Sequence, residues 1–198
     1  MLVKWKSALI ALVLLQPVPA CLADSDTERW LVEAEAGSTD AQVNLWLAYS
    51  VGEGYGVKQD PVKALYWLRT AAEQGDRTAS IAYAGKLYRG EDVVQDRALA
   101  LSYWQRLAEH DVSDALYELG LAYAGERDYG LTPDPQRATD YLRRSAEKGR
   151  IDAQLAYAKR LADGVGVEQN KAAAIEWYRK AAAKGNREAK VRLLGLGA

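Results

Sequence analysis

Apolar and small residues recur at 0, +4 and +8 from four starting points: Ala41, Leu45, Tyr49; Ala79, Tyr83, Leu87; Ala115, Leu119, Tyr123; and Ala153, Tyr157, Leu161. That spacing keeps one face of a helix apolar, so it predicts a helix over each run. After a short polar stretch a second helical run follows each time: Ala64–Ala72, Ala100–Ala108, Ala138–Ala146 and Ala174–Ala182. Each carries a bulky aromatic at the same place, three residues after its first alanine: Trp67, Tyr103, Tyr141 or Trp177. Large residues facing small ones let two helices approach and interdigitate. The starts Ala41, Ala79, Ala115 and Ala153 follow one another at a nearly constant interval, so the chain reads as four helix-loop-helix repeats, 41–78, 79–114, 115–152 and 153–188. Trp67 and Trp177 are expected to be buried between the two helices of their repeats.

The polar residues between the runs agree with this frame. Asp60, Asp96, Asp134 and Asn170 each stand four residues before a packing alanine, where a side-chain oxygen caps the unpaired amides of the second helix. Pro61 and Pro135 follow two of them at the first helical position, where a missing N–H costs nothing. Gly37, Gly75, Gly149 and Gly185 stand where left-handed C-terminal caps are expected. Asp111 occupies the equivalent place in the second repeat and departs from the pattern.

These residues resemble the Sel-one-like repeat, a branch of the tetratricopeptide superfamily. Its units read roughly A-x-A-Q-x-x-L-x-x-x-Y, a glycine-rich loop ending in Asp, then K-A-x-x-W-Y-x-x-A-A-x-x-G. Lys63-Ala64-Leu65-Tyr66-Trp67 with Ala71-Ala72-Glu73-Gln74-Gly75, and Ala174 through Ala182, match it closely, and the resemblance covers about residues 28–195. It implies an all-α fold: a right-handed α/α superhelical solenoid of about four repeats and about ten helices. Residues 28–37 resemble the end of a second helix and 189–195 the start of a first one, so half-repeats cap both ends. A longer period relates Gly54-Tyr55-Gly56 to Asp128-Tyr129-Gly130, two repeats further along the chain. Duplication of a pair of repeats accounts for it; the alternative is that Tyr55 and Tyr129 project from two long loops on one edge.

The stretch from Met1 to Ala23 differs in kind. Lys4 and Lys6 precede an apolar stretch from Ala8 to Leu15, and Pro17 and Pro19 lead to the small residues Ala20 and Ala23. This is the layout of a secretory signal peptide, with a stretch too short to span a bilayer. Two cleavage positions fit. Val18-Pro19-Ala20-Cys21 resembles a bacterial lipoprotein box, which would leave Cys21 first and acylated; cleavage after Ala23 would discard it. The expected organisation is a signal peptide over 1–23 and one repeat domain over 24–198, located in the periplasm or cell envelope. Cys21 is the lone cysteine, so packing and not a disulfide holds the mature chain together.

Composition narrows the function. Twenty-six Lys and Arg against 27 Asp and Glu leave no excess of positive charge for neutralising phosphates, which argues against nucleic acid as partner. His110, the lone histidine, falls at a helix end, where a cationic side chain suits the dipole. Gly52-Glu53-Gly54-Tyr55-Gly56 lacks the Lys-Ser/Thr of a phosphate-binding loop, and the acidic pairs Glu33/Glu35 and Asp24/Asp26 read as solvated. We therefore read no catalytic, metal or cofactor site here. Cysteine-rich secreted relatives have been associated with penicillin binding and weak β-lactamase activity, which this cysteine-poor sequence does not inherit.

The resemblance implies instead an exported protein–protein adaptor of the bacterial cell envelope, holding a protein or peptide. The alternative is a periplasmic inhibitor of an antibacterial toxin such as a secreted lipase, with a cell-wall-related enzyme a more distant one; membrane attachment would run only through acylated Cys21. By resemblance to how tetratricopeptide arrays present ligands, the partner surface lies on the first helices. Val43, Ile81, Tyr117 and Leu155 stand at +2, Leu47 and Leu121 at +6 and Tyr88 at +9, with Asp40, Asp114 and Asp152 at −1. The expected groove is apolar with an acidic rim, and Val43, Leu47, Ile81, Tyr88, Tyr117 and Leu121 are the candidate contacts; a basic or amphipathic segment would suit it. The same apolar side chains would equally complete the contact between adjacent repeats.

Overall fold

The computed structural model describes residues 26–197, which form ten α-helices and no strand. In chain order they are α1 (Asp26–Glu35), α2 (Thr39–Val51), α3 (Pro61–Glu73), α4 (Arg77–Arg89), α5 (Arg97–Glu109), α6 (Ser113–Tyr123), α7 (Pro135–Glu147), α8 (Ile151–Asp163), α9 (Lys171–Ala183) and α10 (Arg187–Gly195). The even-numbered helices α2 to α8 begin the four repeats and α3 to α9 complete them. Half-repeats α1 and α10 stand at the ends, as expected for residues 28–37 and 189–195. The signal-peptide reading and Cys21 lie outside the described residues. The chain divides into two compact units, one ending at Ala79 and one starting at Ser80, within the first turn of α4.

Helix starts follow the capping residues. The side chains of Asp60, Asp96, Asp134 and Asn170 accept hydrogen bonds from amides in the first turns of α3, α5, α7 and α9. Their own backbone amides donate to the carbonyls of Tyr49, Leu87, Tyr123 and Leu161 at 2.8–3.0 Å, tying each cap back to the preceding helix. Three loops are fastened again by a glutamine: Gln59, Gln95 and Gln169 each donate to a helix-end carbonyl, those of Ser50, Tyr88 and Ala162. At the turns between repeats, Gly75, Gly149 and Gly185 adopt φ near +91°, a region that costs other residues about 1–2 kcal/mol. Asp111 takes the same left-handed turn at φ 55°. Its carboxylate accepts from Arg144 at 2.8 Å and pairs with Lys148 at 3.3 Å, and these bonds hold its pKa below the ordinary carboxylate value. The exception in the sequence pattern is thus met by two cations from α7 and its end.

In the N-terminal unit, Ala34, Ala41, Leu45, Tyr49, Ala64 and Trp67 form one buried cluster of α1, α2 and α3. Gln42, 1% exposed, spans it by donating to the Ala34 carbonyl. Gln154 does the same in the C-terminal unit, to Ala146. There the cores of successive repeats are closed by aromatic pairs between their two helices: Tyr83 with Tyr103, Tyr123 with Tyr141 and Tyr157 with Trp177, at centroid separations of 5.5–5.7 Å. Trp177 departs from the expected burial. It packs on the α8–α9 core with part of its surface open, and the Lys180 ammonium lies 3.7 Å from its ring centroid.

Candidate functional site

The C-terminal unit brings several of the predicted contacts together. Tyr117 and Leu121, one turn apart on α6, and Leu155 on α8 line a cleft of about 320 Å³ whose floor includes Leu142 of α7. Because repeats superpose in register, equivalent side chains of successive first helices fall side by side, which is how Tyr117 and Leu155 come to share the cleft. Leu121, expected to project into the groove, is only 6% exposed and belongs mainly to the core. Tyr117 remains half-buried; burial first and Asp152 second raise its hydroxyl pKa, with Arg150 acting the other way.

Of the acids expected at position −1, Asp40 is exposed on α2, whereas Asp114 and Asp152 are engaged. Arg150, in the turn between α7 and α8, pairs with Asp114 and lies 3.7 Å from Asp152, and its guanidinium sits 4.5 Å above the Tyr117 ring. One guanidinium from the turn before α8 thus offsets part of the charge of these two carboxylates, so the edge is less acidic than its sequence suggests. Arg160 of α8 also lines the cleft, together with Val165 of the loop after α8. Its Nη1 donates to the Pro135 carbonyl at 3.4 Å and the Thr139 hydroxyl at 3.3 Å. Nothing in the periodicity of apolar positions marked Arg160, since the pattern locates helix faces and not the burial of a polar side chain.

Tyr88 and Gly85 of α4 border a second, smaller cleft of about 170 Å³ with Trp104, Arg127 and Tyr129. Tyr129 does not project: it is 7% exposed, and its ring tilts against Tyr88 at 4.6 Å. Burial first and Glu118 second push its hydroxyl well above the ordinary tyrosine value. Tyr88 is thereby held between Tyr129 and Arg97, whose guanidinium lies 5.9 Å from its ring. The insertion in the third repeat thus folds inward. In the first repeat Tyr55 is 37% exposed, leans on Trp30 at 6.2 Å and receives the Thr27 hydroxyl at its carbonyl.

Ile81 is half-buried on α4. Val43 and Leu47 lie a turn apart on α2 of the N-terminal unit, Val43 half-buried and Leu47 38% exposed. Among the described residues, no group of three or more His, Cys, Asp or Glu is placed to hold a metal ion, and no helix is long and apolar enough to cross a membrane. His110 caps α5 from an exposed position.

The family profile of the Sel1 repeat matches residues 41–76, 79–112, 113–149 and 151–186, within three residues of the repeats read from periodicity. Two solved structures are similar. One is a protective antigen of uropathogenic Escherichia coli with this repeat fold, 31% identical, TM-score 0.75, covering 84% of this chain and 35% of that one. The other is a Sel1 repeat protein from Oxalobacter formigenes, 33% identical, TM-score 0.76, covering 86% and 48%. An uncharacterised protein of Neisseria meningitidis serogroup B is 30% identical over 104 residues, 52% of this chain and 21% of its own length. The chain thus spans from a fifth to about half the length of these relatives. The chain belongs to the Sel1 repeat family, whose repeats generally mediate protein–protein interaction.

Proposed function

We propose that this Sel1 repeat chain is a docking module that holds a peptide segment of a partner protein over the Tyr117–Leu155 cleft, and that it acts as an exported adaptor in the bacterial envelope. The observation that carries the docking surface is the convergence of apolar side chains from two successive first helices, Tyr117 and Leu121 of α6 and Leu155 of α8, on one open cleft. An aromatic ring that is half-buried and pinned on one side by Arg150 is already ordered, so binding forfeits little side-chain entropy there. Aromatic anchors of this kind dominate interface energetics. Tyr117→Ala should weaken partner binding by about 2 kcal/mol while the chain still unfolds cooperatively. Affinity capture from envelope extract identifies the partner, and titration calorimetry with wild type and variant measures the difference. Unchanged affinity for Tyr117→Ala and Leu155→Ser together would move the docking surface elsewhere. Capture of one secreted enzyme at tight stoichiometry would make the protein an inhibitor instead of an adaptor.

Export is supported by the Lys4–Lys6 start and the Ala8–Leu15 stretch. Mass spectrometry of native protein should find a chain beginning at lipid-modified Cys21 or at Asp24. An intact Met1 would end this part of the proposal.

A further inference from the structure

Five arginines of the C-terminal unit are half-buried: Arg127, Arg143, Arg144, Arg150 and Arg160. Four of them hold a carboxylate: Arg127 holds Glu118, Arg143 holds Asp140 and Glu147, Arg144 holds Asp111, and Arg150 holds Asp114. Arg160 is the exception. Among the described residues no carboxylate lies within ion-pair distance of it, and only Nη1 has acceptors, at 3.3 and 3.4 Å. Withdrawing a guanidinium from water without a counter-charge is unfavourable, and burial accordingly lowers its pKa, with Glu126 opposing from beyond contact range.

We infer that Arg160 is the specificity determinant of the cleft, and that its ligand is a peptide segment carrying an Asp or Glu carboxylate close to a bulky apolar side chain. The inference rests on the docking surface proposed above and names the chemistry of what it takes. The apolar side chain packs on Tyr117, Leu121 and Leu155. The carboxylate accepts from the nitrogens of Arg160 that lack an acceptor in the protein, in the paired geometry that suits a guanidinium fork. Other charges around the cleft do not compete on equal terms. Asp152 faces Arg150, and Glu126, Lys159 and Asp163 are exposed, where ion pairs are screened and contribute little. The half-buried position of Arg160 makes its pairing worth more than theirs. A cleft of about 320 Å³ takes the two neighbouring side chains of such a segment.

The test is selection of a random peptide library displayed on phage against the purified full chain, followed by fluorescence anisotropy with synthetic copies of the enriched peptides. Enriched peptides should carry Asp or Glu within a few residues of Leu, Phe or a similar side chain. They should bind Arg160→Met, which keeps the apolar stem, at least about tenfold more weakly. Changing the peptide's carboxylate to its amide should cost about as much on the wild type and almost nothing further on Arg160→Met. Circular dichroism checks that both Arg160→Met and Tyr117→Ala are folded. Peptides that bind Arg160→Met as tightly as wild type, yet lose affinity for Tyr117→Ala, overturn the carboxylate inference and leave the docking surface standing. Peptides indifferent to both variants, or a library that yields no binder, overturn both.

Discussion

Replacing Trp67 with alanine is expected to destabilise the N-terminal unit by about 3–5 kcal/mol, the range seen when a buried aromatic is truncated to alanine in a core. The indole is 7% exposed and belongs to the cluster of Ala34, Ala41, Leu45, Tyr49 and Ala64, with Tyr66 set edge-on against it at 4.9 Å. Three of the five other buried members of that cluster are alanines, whose methyl groups are too short to fill the space an indole leaves. The cavity therefore stays open, and the loss approaches the upper part of the range. A typical domain has only about 5–15 kcal/mol of stability in total, so this one substitution removes a large share. Trp177→Ala, at the same repeat position, should cost clearly less, because that ring is partly solvated and lies beneath Lys180. Chemical denaturation of both variants ranks them, and hydrogen exchange should show protection lost in α2 and α3 for Trp67→Ala. An unchanged midpoint for Trp67→Ala would contradict the packing of the first repeat.

The repeat frame was legible because its physics is periodic and local. Alanine at 0, an acid or amide cap four residues before the second alanine and a glycine at the turn each serve one short-range need, and each is seen serving it. What lay outside that reading depends on which distant side chain fills a given space. Tyr129 sits in an insertion that alone reads as an exposed loop, yet Tyr88 and Trp104 offer it a partly enclosed aromatic site, and it is buried there. Asp114 and Asp152 read as a rim of negative charge until Arg150 is placed between them. Leu121 stands at a groove position by periodicity, but only 6% of it is exposed, at the edge of the cleft, and α6 runs close to α7 at the neighbouring Gly120. An added Cβ at Gly120 would come within 2.7 Å of the Leu142 side chain. Arg160 was invisible for the related reason that a cation's significance here lies in a partner it lacks, and a missing partner leaves no mark in a sequence.

Gly166→Ala should destabilise the C-terminal unit by about 2–5 kcal/mol and should also weaken ligand binding at the cleft. Gly166 lies in the loop between α8 and α9 with φ +69°, and a Cβ built on it falls 1.9 Å from the Pro135 carbonyl oxygen and 2.7 Å from the Thr139 hydroxyl. Pro135 opens α7, so the obstacle is backbone fixed at a helix start and cannot rotate aside. The loop must lift, and lifting it breaks the hydrogen bond from the Thr139 hydroxyl to the Val165 carbonyl at 2.9 Å. Gly130, in the corresponding loop of the third repeat, supplies the control: its φ is +71°, and nothing lies within 4 Å of its Cβ position. Gly130→Ala therefore isolates the left-handed backbone strain, about 1–2 kcal/mol, and the excess for Gly166→Ala reports the contact with α7. The functional consequence follows from the same atoms. The Pro135 carbonyl and Thr139 hydroxyl are the two acceptors that orient Arg160, and Val165 lines the cleft beside it. Displacing the loop should thus reduce affinity for carboxylate-bearing peptides in Gly166→Ala and leave it unchanged in Gly130→Ala. Denaturation curves and peptide titrations of the two variants measure both effects. Equal stability of the two variants would mean that the loop does not rest on α7, and equal affinity would detach the orientation of Arg160 from the turn that holds it.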